Sequence, residues 1–202
     1  GVIDVFFKIK ALHALGINII LHCYEYGRSR QSELEKYCKK VYYYERHVSK
    51  TNLFKAKPYI VASRNSKDLL NNLLRDNNPI LFEGLHTCFY LNEKLLESRH
   101  KIVRTHNIEH EYYNNLASVE RNIFKKYYFL NEAYKLKLFE DVLNFANKIA
   151  VISQNDINYF GSKYHNTNLV SAFHPNDEVG IKSGKGNFVL YHGSLSIGEN
   201  NK

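Results

Sequence analysis

The chain has 202 residues, 44% of them hydrophobic, which suits one full domain with the opening of another and excludes a disordered chain. It holds 28 Lys and Arg against 20 Asp and Glu, a formal charge of +8 with His neutral, favouring an anionic partner: nucleic acid, a phosphate-bearing substrate or acidic lipid. No apolar run is long enough to cross a bilayer, nothing at the start reads as a signal peptide, and Cys23, Cys38 and Cys88 lack the CxxC spacing of a zinc ribbon or disulfide frame, so they read as reduced, cytosolic core thiols.

The first predicted element is a helix over residues 3–15, with Ile3, Phe7, Ala11 and Leu15 on one face and Gly16 placed for a left-handed C-cap. Residues 17–23 read as a buried parallel strand, 31–40 as a helix and 41–44 as a short strand. Pro58 limits any helix before it. Ser66 caps a helix through residue 75, with Leu69, Leu70, Leu73 and Leu74 as its apolar stripe. A strand at 80–83, a helical segment near 89–96 and a strand at 101–105 follow. Residues 109–145 read as helical with a break near Ser118. The many aromatic residues there read as packing. The interleaved Lys125, Lys126, Lys135 and Lys137 offer the alternative of a basic surface against anionic lipid. A strand at 148–152, a helix capped by Ser153 and a strand at 168–173 complete the domain.

The alternation of strand and helix indicates an α/β class: a Rossmann-like three-layer domain with a mostly parallel sheet. Its expected extent is residues 1–176. A polar linker occupies 177–186, and 187–202 reads as the first strand and turn of a second, truncated Rossmann-like domain. The chain holds no methionine, even at position 1, so it reads as a piece of a longer product or as one whose modified methionines are left out of the sequence.

In open α/β sheets the ligand crevice lies beyond the carboxyl ends of the strands. Polar groups follow two strands at once: Glu83 and His86 after one, His106, Asn107 and Glu109 after the other. His174 and His192 also stand at predicted strand ends, so four histidines (with His86 and His106) are expected at one sheet edge. His106 to His110 fits HxxEH, the inverted zinc-peptidase pattern, but His106 ends a strand, and a downstream acidic ligand on a helix is lacking. No GxGxxG, GxxxxGK[ST] or GxSxG motif occurs.

Four segments in order (80–86, 103–110, 150–156 and 189–195) resemble the N-terminal half of a retaining, two-domain (GT-B-type) glycosyltransferase of group 4, found in bacterial polysaccharide clusters. The resemblance covers nearly the whole chain. It implies transfer of a hexose from a nucleotide sugar to a saccharide or lipid-linked acceptor, with no metal or other cofactor, in the cytoplasm or at the inner face of an anionic membrane, and no nucleic-acid partner. By similarity His106 contacts the transferred sugar. Glu83, Gly84, His86, Asn107, Glu109, Phe173 and His174 line the acceptor path, and Gly193, Ser194 and Leu195 form the glycine turn of the donor domain. The family's Arg and Lys after that glycine are Ser194 and Glu199 here, so its cationic clamp on the diphosphate is absent or supplied from elsewhere. A first strand and a glycine-rich loop are expected before Ile3. A fragment of this extent is expected to be inactive alone. The competing readings are a non-catalytic basic module for nucleic acid or anionic membrane and, third, a zinc peptidase.

Overall fold

The structure is a computed structural model and describes residues 2–25, 27, 29–176, 178, 180 and 184–187. The expected second-domain strand, with Gly193, Ser194 and Leu195, lies outside the described residues, as does His192. The fold is α/β, with all described strands parallel in two sheets, compatible with a Rossmann-like three-layer arrangement.

Helix α1 spans Val2–Ala14. It ends in a Schellman motif: Gly16 (φ 77°) donates to the His13 carbonyl at 2.9 Å and Ile17 to that of Leu12 at 3.1 Å. Its buried face is not the expected one. Ile3 and Leu15 are exposed, while Asp4, Lys8 and Ile9 are buried. The charged side chains turn inward because their partners stand on the sheet.

Strand β1 (Ile20–Glu25) pairs with β2 (Lys40–Glu45), in register from Ile20 with Lys40 to Glu25 with Glu45. The segment between them is a 3-10 turn at Ser32–Lys36 rather than a longer helix; it buries no residue, so nothing rewards extending it. Short helices α2 (Tyr59–Ala62, opening after Pro58) and α3 (Lys67–Leu73) follow. The Ser66 hydroxyl accepts the Leu69 amide, as the sequence suggests, and Leu69 and Leu73 are buried while Leu74 is exposed.

The second sheet has the order β3 (Ile80–Glu83), β4 (Lys101–Arg104), β5 (Lys148–Val151), β6 (Thr167–Leu169). The expected helix near 89–96 is two 3-10 segments, Leu85–Tyr90 and Lys94–Leu96. Between β4 and β5 stand α4 (Glu109–Val119) and α5 (Ile123–Phe139), then a 3-10 turn at Glu140–Phe145. Helix α6 (Gln154–Gly161) is capped by Ser153, whose hydroxyl accepts the Asp156 amide. The last strand is shorter than expected. It stops at Leu169, and one further bond, from Val170 to the Val151 carbonyl at 2.8 Å, ends the ladder.

The core gathers Phe82, Val103, Ile149 and Val151 from the sheet against Leu91, Leu96, Leu136, Leu143 and Phe160. The aromatic residues of 109–145 divide. Tyr113 and Phe129 pack edge to face at 6.0 Å between α4 and α5, but Phe124, Tyr127 and Tyr134 are exposed. Packing therefore explains only part of the aromatic content.

Candidate functional site

The carboxyl ends of β3 and β4 carry the site. Gly84 donates to the Arg104 carbonyl at 2.7 Å and Thr105 to the Ala150 carbonyl at 3.0 Å, so the ladder holds both strands rigid up to the polar residues. Glu83 and His106, 23 positions apart in sequence, meet here with His106 Nε2 3.2 Å from Glu83 Oε2. Both are half-buried, so the imidazole is neither sealed in hydrocarbon nor loose in water.

Gly84 has φ 85° and ψ 154°, a region open essentially to glycine alone. A Cβ at this position would lie 2.6 Å from Cε1 of His86, 2.7 Å from its Nδ1 and 3.6 Å from Cδ2 of His106. The bare α-carbon thus lets two imidazoles approach one backbone point. His86 Nδ1 lies 3.8 Å from Glu109 Oε1 at the start of α4. Burial pushes the His86 imidazole below its ordinary value, against the pull of Glu109, so the ring is neutral near pH 7.

Beneath this rim lies a charge network that sequence reading missed. Lys8 of α1 forms an ion pair with Glu83 Oε1 and stands 3.8 Å from Asp4 Oδ2. Arg104 is almost fully buried and grips Asp4 through Nε at 3.1 Å and Nη2 at 2.9 Å. The same guanidinium donates to the carbonyls of Val170 at 3.0 Å and Ser171 at 3.1 Å. Asp4 also accepts the Phe173 amide at 2.7 Å, and the Phe173 ring lies 5.4 Å from the Arg104 guanidinium. The network therefore fastens the chain after β6 to α1 and β4. One signal was available: Asp4 and Lys8 are opposite charges one turn apart, in a helix whose first half is otherwise apolar.

Electrostatics sets the tautomer of His106. Burial tends to raise the Glu83 carboxyl, but the His106 hydrogen bond and the Lys8 ammonium outweigh it and hold the group below the ordinary carboxylate value. Asp4 follows the same logic, with Arg104 and the Phe173 amide outweighing burial. An ionised Glu83 can only accept, so His106 Nε2 carries the proton and donates. Its Nδ1 is then free, in the neutral ring, to accept from a ligand hydroxyl.

Asp4, Glu83 and His106 have ligand atoms within 4.8 Å of one another. The set suits a divalent cation poorly, because Arg104 and Lys8 already balance both carboxylates. The zinc-peptidase alternative fails on geometry as well. His106 pairs with Glu83 and Glu109 faces His86. His110 is turned toward Glu140, 3.5 Å from Oε2, and its ring lies 5.8 Å from that of Tyr159. Since α4 begins only at Glu109, His106 and His110 never share a helical face.

The other expected residues separate. Asn107 is half-buried in the turn from β4 to α4. Phe173 joins the site through its amide and ring. His174 does not: it is exposed, and its Nδ1 accepts the Asn176 amide at 3.2 Å within its own turn. Because β6 stops at Leu169, His174 lies beyond the sheet rather than at a strand end, so His86 and His106 converge without it. Burial raises the Cys88 thiol far above its ordinary value, which suits core packing and not nucleophilic chemistry.

No family model and no solved structure matches the chain. One relative, an uncharacterized 44.6 kDa protein in the cps region of Klebsiella pneumoniae, is 27% identical over 164 residues. The match covers 77% of this chain and 42% of the relative, so the chain spans less than half the length of that protein.

Proposed function

We propose that the chain is the acceptor-binding half of a GT-B-type retaining glycosyltransferase, which moves a hexose from a nucleotide sugar to a saccharide or lipid-linked acceptor in polysaccharide synthesis. The observation that carries this reading is the Glu83–His106 pair at the open carboxyl ends of parallel strands. The relative in a capsule (cps) region supports the polysaccharide context. His106, held by an ionised Glu83, presents Nδ1 to a sugar hydroxyl and orients the ring undergoing transfer. His86, kept neutral by burial and faced by Glu109, contacts the approaching acceptor. No step uses His106 as a general base. In the longer protein, His106→Ala should lower transfer from nucleotide sugars at least about 100-fold, the scale of a lost positioning contact. Glu83→Gln should lower it less, because an amide oxygen still accepts from Nε2. Unchanged turnover in His106→Ala overturns the assignment.

A second observation favours a lipid-linked acceptor at an anionic membrane. Ile123, Phe124, Tyr127, Leu130, Tyr134 and Leu138 are all exposed, Phe124 by 83%, and at 100° per residue they fall in one stripe along α5. Lys126 and Lys137 border it, placed to reach headgroups while tyrosines sit at the interface. Among the described residues no helix is long and apolar enough to cross a membrane. The surface would therefore lie on the bilayer. The protein should co-float with phosphatidylglycerol vesicles and not with phosphatidylcholine vesicles, and a Phe124→Ser, Tyr127→Ser double variant should lose this binding. Flotation with neither vesicle overturns the proposal.

A further inference from the structure

Lys8 is only 5% exposed, and a lysine sits this deep in a domain only when it is paired. It stands one turn after Asp4 on α1. Its ammonium forms an ion pair with Glu83 Oε1 and lies 3.8 Å from Asp4 Oδ2. Asp4 already has a counter-charge in Arg104, whose Nη2 and Nε reach it at 2.9 and 3.1 Å. What Lys8 balances is therefore Glu83. Burial draws the ammonium below its ordinary value, while the two carboxylates oppose that shift.

Glu83 spends one oxygen on Lys8 and the other on His106, whose Nε2 lies 3.2 Å from Oε2. An imidazole can donate to a carboxylate in two states. It is either the neutral ring with its proton on Nε2, or the imidazolium with protons on both nitrogens. Only the neutral ring leaves Nδ1 able to accept.

Which state holds is a matter of charge balance. The groups around the ring are Glu83 on β3, Lys8 and Asp4 on α1, Arg104 on β4 and, across Gly84, His86 with Glu109. Glu109 stands in the first turn of α4, where the helix dipole favours its charge. Asp4 and Glu83 are matched by Arg104 and Lys8, so the ring faces no unbalanced carboxylate on that side. Without Lys8, the half-buried Glu83 would keep the ring as its partner, and an opposite charge so close favours the protonated imidazole.

We propose that Lys8 is a positioning residue: by balancing Glu83 it keeps His106 neutral, with the proton on Nε2 and Nδ1 open as an acceptor. It touches no ligand and acts through Glu83. At Nδ1 the site then selects a hydroxyl, which can donate, over a carboxylate or phosphate oxygen, which can only accept. The charge of the ring is independent of the transferase reading; its effect on turnover rests on that reading.

Nitrogen-15 NMR of the His106 ring in the longer protein tests the proposal. At pH 7 the ring should carry a proton on Nε2 and none on Nδ1. Lys8→Met should raise the doubly protonated fraction at least about threefold, and Lys8→Arg, which keeps the charge, should return the original pattern. Adding Glu83→Gln to Lys8→Met removes the unbalanced carboxylate and should restore the neutral ring. If Lys8→Met does not fold, Lys8→Gln, an uncharged donor, carries the same expectation. Turnover of nucleotide sugar by Lys8→Met should fall at least about tenfold at pH 6.5, and the gap should narrow by pH 8.5 as the ring gives up its second proton. A neutral ring in Lys8→Met overturns the proposal. So does a charged ring that persists in the double variant, or a turnover deficit that is the same at both pH values, which marks lost packing alone. If the ring responds as stated in a protein that turns over no nucleotide sugar, the transferase reading falls and the role of Lys8 stands.

Discussion

Gly84 decides where both imidazoles stand. Replacing it with alanine forces a side chain into a glycine-only backbone region and drives Cβ into the His86 ring at 2.6 Å. Gly84→Ala should lose about 1–3 kcal/mol in urea unfolding. It should also shift the His86 ring resonances in NMR more than those of His13, which is exposed at the far end of α1. Unmoved His86 signals would show that the ring does not rest on this glycine. Glu83, Gly84, His86, His106 and Glu109 could be picked out because they stand at the end of an apolar strand or within a few residues past it, and that pattern survives without knowledge of pairing. Asp4, Lys8 and Arg104 were not, because Asp4 and Arg104 lie 100 positions apart and only the folded chain brings them together. His174 was misplaced for a related reason: an apolar run shows where a strand is possible, not where its neighbour stops pairing with it.

The α4–α5 pair shows how far element boundaries can be read and where burial cannot. The break near Ser118, the Gly16 cap and the Ser66 and Ser153 caps follow from local chemistry, and the structure places them there. Helix α5 is apolar on two opposite sides, however, so periodicity gives no preference for either. What fixes its inner face is polar. Glu132 is fully buried, accepts the Tyr59 amide at the start of α2, and takes Lys135 Nζ at 2.9 Å. Lys135 in turn donates to the Leu53 carbonyl at 2.8 Å. Glu132→Ala leaves the Tyr59 amide without its acceptor and the Lys135 ammonium without its counter-charge, holding only the Leu53 carbonyl, and should cost about 2–4 kcal/mol in urea unfolding. Tyr134→Ala, on the exposed face two residues along, should stay within about 0.5 kcal/mol. Equal losses would mean that the outer face packs against the rest of the chain.

At the scale of the molecule, buried neutral histidines and buried carboxylates make stability fall in two stages as the pH drops. The class and the parallel strands were legible from sequence, but the division into two sheets was not, since periodicity marks strands without saying which edges meet. His22 sits on that division. Burial pushes its imidazole down to about 4, its Nδ1 lies 2.8 Å from the Tyr44 hydroxyl, and its ring stacks on Tyr42 at 5.2 Å. The unfolded chain takes up a proton near pH 6.5 that the folded ring refuses, so unfolding binds protons and stability declines from about pH 7 toward pH 4. Allowing for solvent screening at this half-buried site, the loss between pH 7 and 5 is about 1 kcal/mol. Glu83 and Asp4 act lower. Their folded values lie below the ordinary ones, so their contribution is present above the unfolded carboxylate value and is lost as the pH falls through the folded one. Urea midpoints at pH 7, 5 and 3.5 follow both contributions. His22→Asn should remove most of the drop from pH 7 to 5 and only part of that from 5 to 3.5, because asparagine has no proton to gain while the Asp4–Arg104 and Glu83–Lys8 pairs remain. An undiminished first stage in that variant would move the effect to His86, the other described histidine that burial pushes down.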